Sequence, residues 1–147
     1  MRRNLNIIGA SLFLLLSLFM IAFGGLYASV NKLLWFHAAA VPQHALEAVR
    51  PLYFALMKLI GGASIALGVL GAFLTVERVR RGDRRAAAAL FIVFAIPLAV
   101  AAYVAEELAA ATGSPTSWHV MGVLFAINAA ALLASLAGAG PRDQSAP

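Results

Sequence analysis

The chain has 147 residues, of which 63% are hydrophobic and only 12% are charged, with a formal net charge of +5. Because about a quarter of the residues in soluble domains are charged, this composition excludes an ordinary soluble domain and indicates an integral membrane protein. The absence of cysteine excludes disulfides, thiolate metal sites, iron–sulfur clusters and attached c-type haem. The basic residues flank apolar runs and do not alternate with aromatic residues, so nucleic acid is not an expected partner.

The first long apolar run predicts a membrane span over residues 7–30, preceded by Arg2 and Arg3. At about 1.5 Å per residue this run crosses a hydrocarbon core of roughly 30 Å. It is longer than the roughly 7 to 15 apolar residues of a signal peptide, so a retained anchor is expected.

The connection that follows, residues 31–56, predicts a short amphipathic segment at the membrane surface. Pro42 suits the first position of a helix, and Leu46, Val49 and Tyr53 then share one face. Trp35 and Tyr53 are typical interfacial anchors.

The second span is predicted over residues 59–76, which contain no charge. Small residues recur along one face of this span and predict close packing against another helix; they are Gly61, Ser64, Gly68 and Gly71. Lys58 lies at the outer edge, where it either extends to the interface or pairs inward with Glu106 or Glu107. A tight loop with five arginines follows: Arg78, Arg80, Arg81, Arg84 and Arg85.

The third span is predicted over residues 86–105, with Pro97 near its middle and Glu106 and Glu107 at its end. The fourth is predicted over residues 118–137, with Thr116 or Ser117 as its N-cap. Asn128, near the middle of this span, is expected to hydrogen-bond across a helix interface. Residues 138–147 are polar and predict a flexible cytoplasmic tail.

Basic residues are distributed unequally between the two predicted sides of the membrane. Eight lie on the side of the termini and the arginine loop, and three lie on the other side, namely Lys32, Arg50 and Lys58. The positive-inside rule therefore predicts that both termini are cytoplasmic. The expected fold is a single all-α domain over residues 1–147, a four-helix transmembrane bundle of the bacterial inner membrane with the amphipathic segment in its first external loop.

All three histidines fall on the predicted outer side, as do three of the acidic residues, Glu47, Glu106 and Glu107. Imidazole and carboxylate groups together suit zinc, copper or iron, so the metal candidates are His37, His44, His119, Glu106 and Glu107. No H-x3-H or H-E-x-x-H pattern is present, and water or backbone partners for these histidines are the alternative. A haem ligated by His119 together with a loop histidine is a further alternative. No cofactor is predicted as the first choice.

Several short apolar motifs resemble one group of membrane proteins. Ala55-Leu56-Met57-Lys58, Gly61-Gly62 and Leu67-Gly68, together with the end of the first span from Gly24 to Leu33, look like the corresponding parts of uncharacterised bacterial four-helix proteins of the DoxX-like kind. The resemblance implies a four-helix bundle with both ends inside. Some DoxX-type proteins are subunits of quinone-linked oxidoreductases, which implies an accessory role. An acidic residue expected in the second span of that family is absent here, which argues against a proton or quinone role.

The sequence favours a non-catalytic accessory or scaffolding subunit of a larger inner-membrane complex, in contact with the bilayer and with other membrane subunits or further copies of itself. An electron-transfer complex is one such larger complex. An alternative is a binder or carrier of a small lipophilic molecule, such as a quinone or lipid, with Lys58 or His119 at the mouth of its cavity. A second alternative is a haem- or metal-bearing redox subunit that uses the outer histidines.

The arginine loop is expected to set topology and contact anionic lipids, with a docking surface for an acidic cytoplasmic partner as the other interpretation.

Overall fold

The computed structural model describes residues 2–139, and this part of the chain is helical without strands. Four of its helices are long and apolar enough to cross a membrane: α1 (Arg2–Ala28), α3 (Leu46–Glu77), α4 (Arg84–Thr112) and α5 (His119–Gly138). A single short turn, α2 (Trp35–Ala38), lies between α1 and α3. Most of the predicted tail, residues 140–147, lies outside the described range.

The long helices alternate in direction, as hydrogen bonds between their ends show. These bonds also distinguish the two ends of the bundle. At one end the Asn6 side-chain amide donates to the carbonyl of Arg80 at 2.9 Å, and Arg84 donates to the carbonyl of Ala139 at 2.7 Å. We call this the arginine end. At the other end Ser114 Oγ donates to the carbonyl of Phe36 at 2.7 Å. We call it the histidine end, because His37, His44 and His119 all lie there.

Helix α1 is the central helix of the bundle. It packs along α3 on one side and along α5 on the other, and α4 packs mainly on α5. Helices α3 and α4 touch each other little, although a short loop joins them. The buried core is contributed mainly by α1 and α4, with Phe13, Leu16, Leu90 and Phe94 almost fully enclosed.

Glycines bring α1 and α3 into backbone contact. A Cβ atom placed on Gly61 would lie 2.6 Å from both the amide nitrogen of Ala28 and the carbonyl oxygen of Gly24. The same atom on Gly68 would lie 2.6 Å from the carbonyl oxygen of Ser17. We call this contact the glycine seam. Gly71, the next glycine along α3, faces Phe94 and the Ser17 hydroxyl, while Ser64 is only partly buried.

The arginine loop is ordered by three local features. Val79 is 1% exposed and anchors the turn Val79–Arg81 beneath the helix ends. Gly82 has a φ of 81°, a left-handed conformation that favours glycine. Asp83 then caps α4, because its carboxylate accepts the backbone N–H groups of Arg85 and Ala86 at 2.9 and 3.2 Å.

Helices α3 and α4 extend well beyond the spans predicted for them. Helix α3 begins at Leu46, so the residues that predict a separate amphipathic segment form its first turns. Pro51 lies in the second turn of α3, where its missing N–H deprives the Glu47 carbonyl of its usual donor, but the helix continues through it into the apolar run. Helix α4 continues past Glu106 and Glu107 to Thr112, since an alanine-rich stretch favours helix until Gly113, at a φ of 67°, ends it.

The predicted N-cap of the last helix is wrong. Helix α5 begins at His119, and Trp118 occupies the cap position without a side-chain hydrogen bond. Thr116 instead donates to the carbonyl of Ala105 at 2.7 Å, and the Ser117 hydroxyl lies 3.1 Å from Nδ1 of His119. The cross-helix hydrogen bond expected of Asn128 is present, since its Nδ2 donates to the carbonyl of Phe91 on α4 at 2.9 Å.

Candidate functional site

The histidine end holds all five residues singled out as metal candidates, but it does not gather them. Among residues 2–139, no group of three or more histidine, cysteine, aspartate or glutamate side chains is placed to hold a metal ion. His44 and Glu107 are exposed. Glu106 accepts the backbone N–H of Trp118 at 3.2 Å, and His119 stacks on the Trp118 indole at a centroid distance of 4.6 Å.

Of the three histidines, only His37 forms a side-chain hydrogen bond to one of the long helices within residues 2–139. Its Nδ1 lies 3.0 Å from the hydroxyl of Tyr53 on α3, and that hydroxyl accepts the backbone N–H of Leu34 at 3.2 Å. The Tyr53 proton is therefore available to Nδ1 of a neutral imidazole. Partial burial lowers the pKa of His37 below its usual 6.5, because desolvation disfavours the charged ring. This arrangement fastens the 31–45 connection to α3.

Lys58 is exposed on α3. The two ion pairs in the described part of the chain are Arg50–Glu47 at 3.5 Å and Arg81–Glu77 at 2.9 Å, and neither includes Lys58. Its side chain thus does not turn into the bundle toward Glu106 or Glu107.

A groove of about 340 Å³ lies at the opposite, arginine end, between α1 and the last turns of α3. Its lining combines basic, polar and apolar side chains: Arg3, Asn6, Ile7, Ala10, Ser11, Leu14, Thr75, Val76 and Arg80. The groove begins beyond Gly71, where the glycines of α3 end and Thr75 takes the next position on that face. We call it the arginine-end groove.

One face of α1 forms most of the groove wall. Six of its lining residues follow a spacing of three, one, three, one and three, from Arg3 to Leu14, and this spacing keeps them on one side of a helix. Arg3 lies at the polar end of this face, and Leu14 lies at the apolar end. The wall therefore changes from polar at Arg3 and Asn6 to mostly apolar toward Leu14.

Hydrogen bonds hold the polar part of the groove in place. Asn6, which is 9% exposed, ties the Arg80 backbone to the first turns of α1 through its side-chain amide. Thr75, which is 1% exposed, donates to the carbonyl of Gly71 at 2.7 Å. The Oδ1 atom of Asn6 is buried and has no hydrogen-bond partner among residues 2–139. Arg3 and Arg80 are both exposed, so they form the outer, basic part of the lining, which we call the mouth of the groove.

The sequence analysis identified Arg80 only as a topology residue and did not predict this groove. The available signal is Asn6 and Ser11, two polar residues that share the Arg3 face near the start of an apolar run. That signal does not identify the partner helix, because the groove also needs the residues Thr75 and Val76, about seventy positions away.

Comparison with protein-family models, with curated proteins and with solved structures finds no match to this chain. The resemblance to DoxX-like proteins therefore stays a prediction.

Proposed function

We propose that this chain is a non-catalytic multi-pass membrane protein that binds a small amphiphilic molecule in the arginine-end groove. The observation that supports this proposal is the composition of the groove, which has two arginines at its mouth and a wall along α1 that becomes mostly apolar toward Leu14. Ligand sites of this kind are concave, mostly apolar and carry a few polar groups that orient the ligand. Binding at this end differs from the sequence-based alternative, which put Lys58 or His119 at the mouth.

The proposal is tested by filling the groove. Ser11 lines the groove and is exposed, so Ser11→Phe introduces a ring where the ligand would lie. Ala22 lies on the same helix, is also small and exposed, and is absent from the groove lining, which makes Ala22→Phe a matched control. Native mass spectrometry of protein purified in mild detergent is expected to show a bound amphiphile in the wild type and in Ala22→Phe, and its loss in Ser11→Phe. Equal adducts in all three proteins would contradict the proposal.

A second candidate function is an accessory or scaffolding role in an inner-membrane complex, and the way α3 is attached favours it. Helix α3 meets the bundle chiefly through the glycine seam, while large apolar side chains project from its other sides. Leu59, Val69 and Phe73 are 70%, 55% and 61% exposed. Such a helix has surface for another membrane subunit or a second copy as well as for lipid.

Mild-detergent purification from native membranes tests this second role. A stoichiometric partner that is lost on Val69→Trp, but kept on an equivalent change at exposed Val100 of α4, is the expected result. A monodisperse monomer without any partner would contradict an accessory role and leave groove binding intact.

A further inference from the structure

We propose that the occupant of the arginine-end groove is an anionic phospholipid, taken from the leaflet at the arginine end and held by its phosphate between Arg3 and Arg80. This inference rests on the proposed function, because it specifies which amphiphile the groove binds. It follows from the charge of this end of the bundle, the fixed position of the two arginines and the length of the groove.

The arginine end carries a large uncompensated positive charge. Seven basic side chains lie there within the described residues, and only two acidic ones, Glu77 and Asp83. Both acids are already engaged, Glu77 with Arg81 at 2.9 Å and Asp83 with the first turn of α4. Neither Arg3 nor Arg80 belongs to an ion pair in the part of the chain described. An anionic headgroup therefore meets cations that have no ion-pair partner among residues 2–139.

The two arginines at the mouth are positioned by the fold. Arg80 follows the buried Val79, and its carbonyl accepts from Asn6, so its backbone is fixed against α1. Arg3 lies one helical turn before Asn6 on the groove-lining face. Two guanidinium groups that flank one opening suit a phosphodiester, because each planar group donates paired hydrogen bonds to phosphate oxygens.

The length of the groove matches one leaflet of a bilayer. Arg3 and Leu14 are separated by 11 residues of continuous helix, which at about 1.5 Å per residue span roughly 16 Å. This distance is about half of a hydrocarbon core of roughly 30 Å. The apolar side chains of Ile7, Leu14 and Val76 therefore line the path of an acyl chain that starts from a phosphate at the mouth.

Other ligand classes match only one of the two parts of the arginine-end groove, either the basic mouth or the apolar wall. A neutral quinone matches the apolar wall but provides no charge for Arg3 and Arg80. A soluble phosphate ester matches the arginines but leaves the apolar wall in contact with water or lipid. A phospholipid with a net negative headgroup matches both parts of the groove.

The test compares lipids that differ only in headgroup. Delipidated wild-type protein is titrated with phosphatidylglycerol, with phosphatidylcholine of the same acyl chains, and with glycerol 3-phosphate, and bound species are counted by native mass spectrometry. We expect phosphatidylglycerol to bind most tightly. Its preference over phosphatidylcholine should fall about fivefold for Arg3→Gln and for Arg80→Gln, on the order of the attraction of one basic residue to an anionic surface.

Arg78 and Arg85 supply the matched controls, because they belong to the same charged end, are exposed and are absent from the groove lining. Arg78→Gln and Arg85→Gln carry the same charge change as the groove variants and should keep the headgroup preference. Near-ultraviolet circular dichroism, which is sensitive to the packing of aromatic side chains, verifies that every variant is folded. If a groove variant does not fold, the absence of a headgroup preference in the wild type still overturns the inference.

Each outcome separates the inference from the proposed function. Equal binding of the two lipids by wild type, abolished by Ser11→Phe, overturns the anionic selectivity and keeps groove binding. A preference that falls equally in the control variants assigns it to the general charge of this end and overturns the role of Arg3 and Arg80. Glycerol 3-phosphate binding as tight as that of the lipid overturns the lipid assignment. Lipid binding unaffected by Ser11→Phe overturns both proposals.

Discussion

Two adjacent glycines of α3 give a direct test of the glycine seam. Gly61 is buried against α1, whereas Gly62 faces outward, with nothing within 4 Å of a Cβ atom placed on it. Gly61→Ala and Gly62→Ala are thus the same chemical change at neighbouring positions of one helix. They differ only in what the added methyl group contacts.

The expected difference follows from the contact distances. The new Cβ at Gly61 would lie 2.6 Å from two backbone atoms of α1, where ordinary contact begins at 3.4 Å. The shortfall is 0.8 Å, and backbone atoms of a helix do not move aside as a flexible side chain does. We therefore expect Gly61→Ala to push α1 and α3 apart and to lower the free energy of unfolding by about 1 to 3 kcal/mol, as in overpacked cores. Gly62→Ala should leave it unchanged or raise it by up to about 1 kcal/mol through helix propensity.

The assay is reversible unfolding in mixed micelles with increasing sodium dodecyl sulfate, followed by near-ultraviolet circular dichroism, which reports on the packing of the aromatic side chains. Helices persist in the denatured state of such experiments, so the measured free energy reports mainly on helix packing. A Gly61→Ala variant as stable as Gly62→Ala would refute the backbone contact between α1 and α3. A Gly62→Ala variant that is strongly destabilised would refute the outward orientation of that face.

Further predictions concern the cap, the buried amide and the titrating histidine. Asp83→Ala should lower the unfolding free energy by about 1 kcal/mol, and Asp83→Asn should largely restore it, both measured in the micelle assay. Asn128→Leu keeps a bulky side chain but removes the hydrogen bond to Phe91, so a loss of roughly 0.6 kcal/mol is expected; a loss several times larger would contradict it. Since folding lowers the pKa of His37 from 6.5, the unfolded chain binds more protons, and stability should fall as the pH decreases below about 6.5 and level off below the folded pKa. His37→Gln should reduce this slope, and a nuclear magnetic resonance titration midpoint of His37 at or above 6.5 would exclude the mechanism.

The spacing of the glycines in α3 predicts which face of the helix packs, but not which helix it packs against. Gly61, Gly68 and Gly71 fall on one face by their spacing alone, and in the structure this face is the one turned inward. The spacing does not show which helix they meet. Gly61 and Gly68 contact α1, and Gly71 meets Phe94 of α4 as well.

Helix ends were less predictable than helix positions. Helix α3 begins at Leu46, before the predicted span, although the charged and aromatic residues ahead of Leu59 are typical of an interfacial segment. Charge density marks where a span leaves the hydrocarbon, but the helical hydrogen-bond ladder continues through charged residues with good propensity until a left-handed glycine or a loop ends it. Glu106 and Glu107 show the same effect near the end of α4.

The candidate site shows a different limit. Arg3 and Asn6 belong to the first turns of the chain, and Arg80 belongs to a loop more than seventy residues away. Each has an ordinary local explanation, namely topology for the arginines and a polar helix start for asparagine. Only the tertiary structure, in which Asn6 donates to the Arg80 carbonyl and all three residues line the same groove, shows that they belong together.

The sequence by itself determined the all-helical architecture, the four long apolar helices and the small-residue face of α3, because these depend on composition and on periodicity within one segment. Only the tertiary structure decided that α1 is the central helix, that the histidines at one end do not converge, and that a groove opens between Arg3 and Arg80 at the other. These features depend on distances between segments far apart in the chain, and helix periodicity carries no information about which segments meet.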